Sequence, residues 1–98
     1  MVYTIQELRE RISPLARTYG VKSVSLFGSY ARGTARPDSD VDLKIEKGAL
    51  RSLYQLCAFR LAVEDALQIS VDLVTSESSD RSFLARIAQE EVSLYRTP

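Results

Sequence analysis

The chain has 98 residues, 45% of them apolar and 27% charged, and its thirteen basic residues balance thirteen acidic ones. A single domain of this length can bury a modest core without staples, and the balanced charge excludes the broad basic surface of a non-specific nucleic-acid binder. With no histidine and one cysteine, Cys57, the sequence excludes Ser-His-Asp and Cys-His machinery, zinc sites built on His or paired Cys, and an internal disulfide.

The tetrad Thr4-Ile5-Gln6-Glu7 has the form of a capping box. Behind it Ile5, Leu8, Ile12, Leu15 and Tyr19 recur at helical spacing. Pro14 interrupts the run, so either the helix kinks or Ser13 caps a second short helix with Pro14 in its first turn. Gly20 is suited to end it. Val21 to Phe27 is predicted as a strand, with Val24 and Leu26 on one face and Ser23, Ser25 and Phe27 on the other. Gly28-Ser29 then turns into a short helix, Tyr30 to Gly33, followed by the loop Thr34 to Ser39. From Asp40 to Glu46 the alternation is clean: Val41, Leu43 and Ile45 face one way, Asp40, Asp42, Lys44 and Glu46 the other.

Leu50 to Leu67 is predicted as a helix whose apolar stripe includes Leu53, Leu56, Val63 and Leu67, with Cys57 expected in the core. Tyr30 and Tyr54 are expected to pack. Ser70 to Thr75 forms a third strand, Ser79 or Asp80 caps a helix to Glu90, and Val92 to Tyr95 adds a short edge strand. No repeat or linker divides the chain, which is expected to be one domain over 1–98. No apolar run reaches the roughly 18–20 residues that span a membrane. The first seven residues lack the basic start and apolar middle of a signal peptide. With the lone cysteine, this points to the cytoplasm.

The element order implies an α/β (α+β) fold, a small mixed sheet of three to four strands with flanking helices. Ten residues separate Ser29 from Asp40, few for a parallel crossover, which usually takes a dozen or more, so antiparallel pairing of the first two strands is the more natural expectation. The helix from Leu50 is long enough for a right-handed crossover that sets the third strand parallel to the second. Asp72 then lies level with Asp42, and Asp40, Asp42 and Asp72 gather beside the Gly28-Ser29 turn.

Three such carboxylates repel one another unless cations lie between them. Two Mg²⁺ ions about 3.5–4 Å apart would relieve the repulsion and provide the clamp used in phosphoryl transfer. Asp40 and Asp42 are the expected shared ligands. Asp72 is expected to help hold the metal that activates an incoming hydroxyl and, with no histidine in the chain, to accept its proton. The Gly28 and Ser29 amides and the Ser29 hydroxyl would grip the phosphates of a nucleoside triphosphate. Arg32 and Arg36 are either phosphate contacts or solvated arginines. Lys44 is either a phosphate contact or the ion-pair partner of a neighbouring aspartate.

Leu26-Phe27-Gly28-Ser29-Tyr30-Ala31-Arg32-Gly33, followed by Asp38-Ser39-Asp40-Val41-Asp42-Leu43, resembles the signature of minimal nucleotidyltransferases of the DNA polymerase β superfamily. Val71-Asp72-Leu73-Val74 matches where that family carries its third carboxylate. The resemblance implies a nucleotidyltransferase fold and Mg²⁺-dependent transfer of a nucleoside monophosphate to a hydroxyl, with ATP the expected donor and pyrophosphate released. Larger members carry a further domain for the acceptor. Stand-alone members are often antitoxins of HEPN-domain ribonuclease toxins, which they neutralise by adenylylating a tyrosine, by binding, or both. The implied partner is therefore a HEPN-domain toxin, in a hetero-oligomer or alongside a homodimer. The rival readings are a module that masks its partner stoichiometrically and an enzyme that modifies a small molecule.

Overall fold

The capping box forms as its sequence predicts: the Glu7 N–H donates to the Thr4 hydroxyl at 3.0 Å, and the Thr4 N–H donates to the Glu7 carboxylate at 2.8 Å. The computed structural model describes residues 2–98. In chain order they form α1 (Ile5–Tyr19), β1 (Ser23–Phe27), α2 (Gly28–Arg32), β2 (Val41–Glu46), α3 (Leu53–Leu67), β3 (Val71–Thr75), α4 (Arg81–Ala88) and β4 (Val92–Arg96). Pro14 lies within an unbroken α1, which settles the choice in favour of one helix. Proline costs that helix one backbone bond, and burial of Leu8, Ile12 and Ala16 along a single face offsets the loss.

The four strands form one mixed sheet in the order β3-β2-β1-β4. β1 runs antiparallel to β2, and β2 parallel to β3, as the connection lengths require. The C-terminal strand adds to the free side of β1, antiparallel, with a register shift between Val24 and Ser25. Alternation then divides the sheet. Val24 and Leu26 of β1 and Val41, Leu43 and Ile45 of β2 join one core with Leu8, Ile12 and Ala16 of α1 and Phe59, Val63 and Leu67 of α3. Tyr19 closes the α1–α3 contact edge-on to Phe59, with centroids 5.7 Å apart.

Several boundaries differ from the sequence reading. β1 starts at Ser23, because the Val21 N–H is taken by the Ala16 carbonyl as the chain leaves α1. α2 begins one residue after the strand, at Gly28. α3 starts at Leu53 behind a Ser52 cap, leaving Leu50 buried in the preceding loop. α4 stops at Ala88, so Glu90 belongs to the turn before β4.

The stripe on α3 also needs correction. Leu53 is 75% exposed and Tyr54 83%, and Cys57 is exposed rather than core. Apolar residues ring this helix almost completely, so spacing alone does not select a face. The face carrying Phe59, Val63 and Leu67 meets α1 and the sheet, and Leu53, Cys57 and Leu61 are left outside.

Candidate active site

Strand register builds the site. Phe27, the last residue of β1, stands opposite Asp42, and Asp42 stands opposite Asp72. Because Val41 and Leu43 are buried in the core, Asp42 must point to the other face, and its row partners point with it. Phe27 ends that row against Phe83 of α4, edge-on at 5.8 Å.

Gly28 follows Phe27 with φ +75°, a conformation that disfavours any side chain. A Cβ at this position would also run into the Asp42 carboxylate. The glycine therefore serves two ends: it turns the strand into α2, and it lets the backbone lie against Asp42. Ser29 is half-buried beside it. Its carbonyl accepts from the Thr34 N–H at 2.9 Å, which ties the start of the loop to the turn.

Asp42 feels this crowding. Its carboxyl is pushed up to about 6, first by burial, then by the charge of Asp72 and the hydrogen bond shared with it, then by Asp40; Arg32 opposes the rise. The structure thus brings Asp42 and Asp72 together. Asp40 stands exposed just ahead of β2, acting on Asp42 through its charge. Among the described residues no three Asp, Glu, His or Cys side chains are grouped so as to hold a metal ion, so the expected trio is here the pair Asp42 and Asp72 with Asp40 standing off. An open set of hard carboxylate oxygens fits Mg²⁺, which binds through one or two carboxylates and completes its octahedron with water and phosphate.

Two of the basic residues have partners that the sequence reading did not name. Arg32 Nη1 pairs with Glu90 at 3.0 Å, and Lys44 Nζ pairs with Glu91 at 2.8 Å, not with an aspartate. Glu90 also accepts the Gly28 N–H at 3.1 Å. Arg36 is exposed in the loop. The two glutamates were not anticipated. Their signal lay in the pairing of β4 with β1: with Val92 opposite Leu26, the residues just before β4 must lie beside the end of β1.

The family described as "Polymerase beta, Nucleotidyltransferase" matches residues 10–98. The chain belongs to the polymerase β nucleotidyltransferase family. Its relatives include the protein adenylyltransferase MntA of Thermococcus cleftensis, 38% identical over 87 residues, which cover 89% of this chain and 80% of that one. Two solved structures share the nucleotidyltransferase fold. One is a toxin–antitoxin with AMP-PNP, with a TM-score of 0.79 at 24% identity over 91% of this chain and 73% of that one. The other is a tri-AMPylated Shewanella oneidensis HEPN toxin in complex with an MNT antitoxin, with a TM-score of 0.73 at 21% identity over 96% and 74%. The mixed sheet with flanking helices is thus the polymerase β nucleotidyltransferase arrangement. Among the described residues no helix of this nucleotidyltransferase is long and apolar enough to cross a membrane.

Proposed function

We propose that this nucleotidyltransferase moves AMP from ATP to a hydroxyl of a partner protein, a HEPN-domain toxin that it neutralises in the cytoplasm as an antitoxin. One observation carries the reading: Asp42 lies against the Gly28 backbone and level with Asp72, so the phosphate turn and the carboxylates form one continuous surface. The name of the Thermococcus cleftensis relative supports protein as the acceptor. The two solved complexes support a toxin as the partner and an adenine nucleotide as the donor.

Gly28 and Ser29 would seat the triphosphate through backbone amides, and Arg32 and Lys44 would neutralise its outer charge. Asp40, Asp42 and Asp72 would hold Mg²⁺, which supplies charge neutralisation at the triphosphate and at the departing pyrophosphate. Asp72 lies on the edge strand β3 and is exposed, so an incoming hydroxyl can reach it. The hydroxyl oxygen bonds to the α-phosphorus, the bond from that phosphorus to the pyrophosphate oxygen breaks, and Asp72 takes the hydroxyl proton.

The test is incubation of the chain, copurified with its native partner, with Mg²⁺ and α-labelled ATP. Label should pass to the partner and disappear with Asp42→Asn. Equal labelling by that variant refutes the assignment. The exposed apolar face of Leu53, Tyr54 and Leu61 on α3 favours a second reading, in which the chain masks its partner by binding alone. Full neutralisation by a folded Asp40→Asn/Asp42→Asn double variant would establish it.

A further inference from the structure

The turn between α4 and β4 places two adjacent carboxylates on the groups assigned above to phosphate. Glu90 Oε1 accepts the Gly28 N–H at 3.1 Å. The same carboxylate takes Arg32 Nη1 at 3.3 Å on Oε1 and 3.0 Å on Oε2. Glu91 takes Lys44 Nζ at 3.1 Å on Oε1 and 2.8 Å on Oε2. One turn thus occupies the glycine amide and both cations.

The arrangement follows from the fold. β4 pairs with β1 so that Val92 lies opposite Leu26, which brings the two preceding residues to the glycine end of the sheet. Ser25, opposite Lys44 on β1, is small, leaving the lysine room to reach across to Glu91. The Glu90 carboxyl is held below the ordinary carboxylate range, first by the Arg32 hydrogen bond and then by the Gly28 amide. It is the charged form that sits there.

A carboxylate and a phosphoryl group present the same anionic oxygens to the same donors. One N–H cannot serve both at full strength. We infer that Glu90 is an internal stand-in for phosphate, holding the Gly28 amide and the Arg32 guanidinium until a polyphosphate displaces it, with Glu91 holding Lys44 in the same manner. The pair is partly exposed, with the arginine side chain 53% and the glutamate 27% accessible, and exposed pairs of this kind are weak. A ligand bringing several charges can therefore open the contact. Glu90 sets the affinity of the site and touches no reacting atom. The inference rests on the proposed function only in naming a nucleoside triphosphate as the natural displacing ligand.

The test uses the full chain and inorganic tripolyphosphate without metal, so catalysis does not enter the readout and the repulsion from Asp42 and its neighbours acts on wild type and variant alike. Glu90→Gln should bind tripolyphosphate about tenfold more tightly than wild type by calorimetry, and Arg32→Ala in the same background should cancel the gain. Equal or weaker binding by a folded Glu90→Gln variant overturns the inference. Should that variant unfold, the wild type provides the measurement. Saturating tripolyphosphate should shift the Gly28 amide resonance and return the Glu90 carboxyl carbon to its solvent-exposed value, and an unmoved Glu90 signal overturns the inference. A tenfold gain together with failure of the AMP-transfer assay leaves the stand-in established and removes nucleotide transfer. Successful transfer without any gain removes the stand-in alone.

Discussion

β2 has two faces with opposite duties. Val41, Leu43 and Ile45 are fully buried, while Asp42, Lys44 and Glu46, alternating with them, stay half-open. Six consecutive residues therefore hold the centre of the core and the middle of the candidate site, separated only by the pleat. Damage on one face should appear as lost stability, and damage on the other as lost chemistry in a protein that folds at least as well.

The largest expected effect lies on the open face. Asp42→Asn should lower AMP transfer about a thousandfold, roughly 4 kcal/mol of barrier, measured as label transfer at saturating ATP. Its melting temperature without metal at pH 7 should rise rather than fall, because the substitution removes a charge that Asp72 and Asp40 oppose. A variant that is both inactive and less stable would break the division between the faces. Next comes the buried side: Leu43→Ala should cost about 3 kcal/mol in denaturant unfolding through the cavity it leaves. That is a large share of the stability of a domain this size.

Gly28→Ala joins the two faces' concerns. It forces a side chain into a positive-φ position and against the Asp42 carboxylate, costing about 2 kcal/mol together with activity. The pH response is smaller. The folded Asp42 keeps its proton up to about pH 6, whereas the unfolded chain releases it near 3.8, the ordinary value. Between these values the native state binds more protons, so this group's contribution to stability is full below about pH 4, falls as pH rises, and is lost above about pH 6. Glu46 and Glu90, held below their ordinary range, slope the other way. The measurement is therefore the melting temperature of wild type minus that of Asp42→Asn, in chelator, from pH 4 to 7; it should decline. Smallest of all, Leu53→Ser on α3 should change stability by no more than about 0.5 kcal/mol, since its side chain is outside the core.

Much of this was legible in the sequence, because the signals were local. The capping box is four residues, the alternation from Asp40 to Glu46 is seven, and the short Ser29–Asp40 connection favoured antiparallel pairing. Asp72 followed from a crossover rule and the apolar neighbours Val71 and Leu73. What escaped notice depended on distant partners. Cys57 and Leu53 lie on a helix apolar on nearly every side, and only the packing of Phe59 and Val63 selects its inner face. Glu90 and Glu91 look like an ordinary solvated pair until β4 is known to lie beside β1. Sequence separation hid them: Glu90 meets Gly28 across 62 positions.

That neighbouring of β1 with β4 bears on how the protein is made. The first of the four strands to leave the ribosome is flanked in the finished sheet by β2 and by the last of them. Throughout synthesis of the intervening residues one side of β1 keeps its hydrogen-bonding groups open, an invitation to any other extended chain. Sealing that side waits for the last of these four strands. It brings Glu90 and Glu91 to the glycine turn in the same movement, so a newly made copy gains its sealed sheet and the contacts of Gly28, Arg32 and Lys44 with these glutamates together.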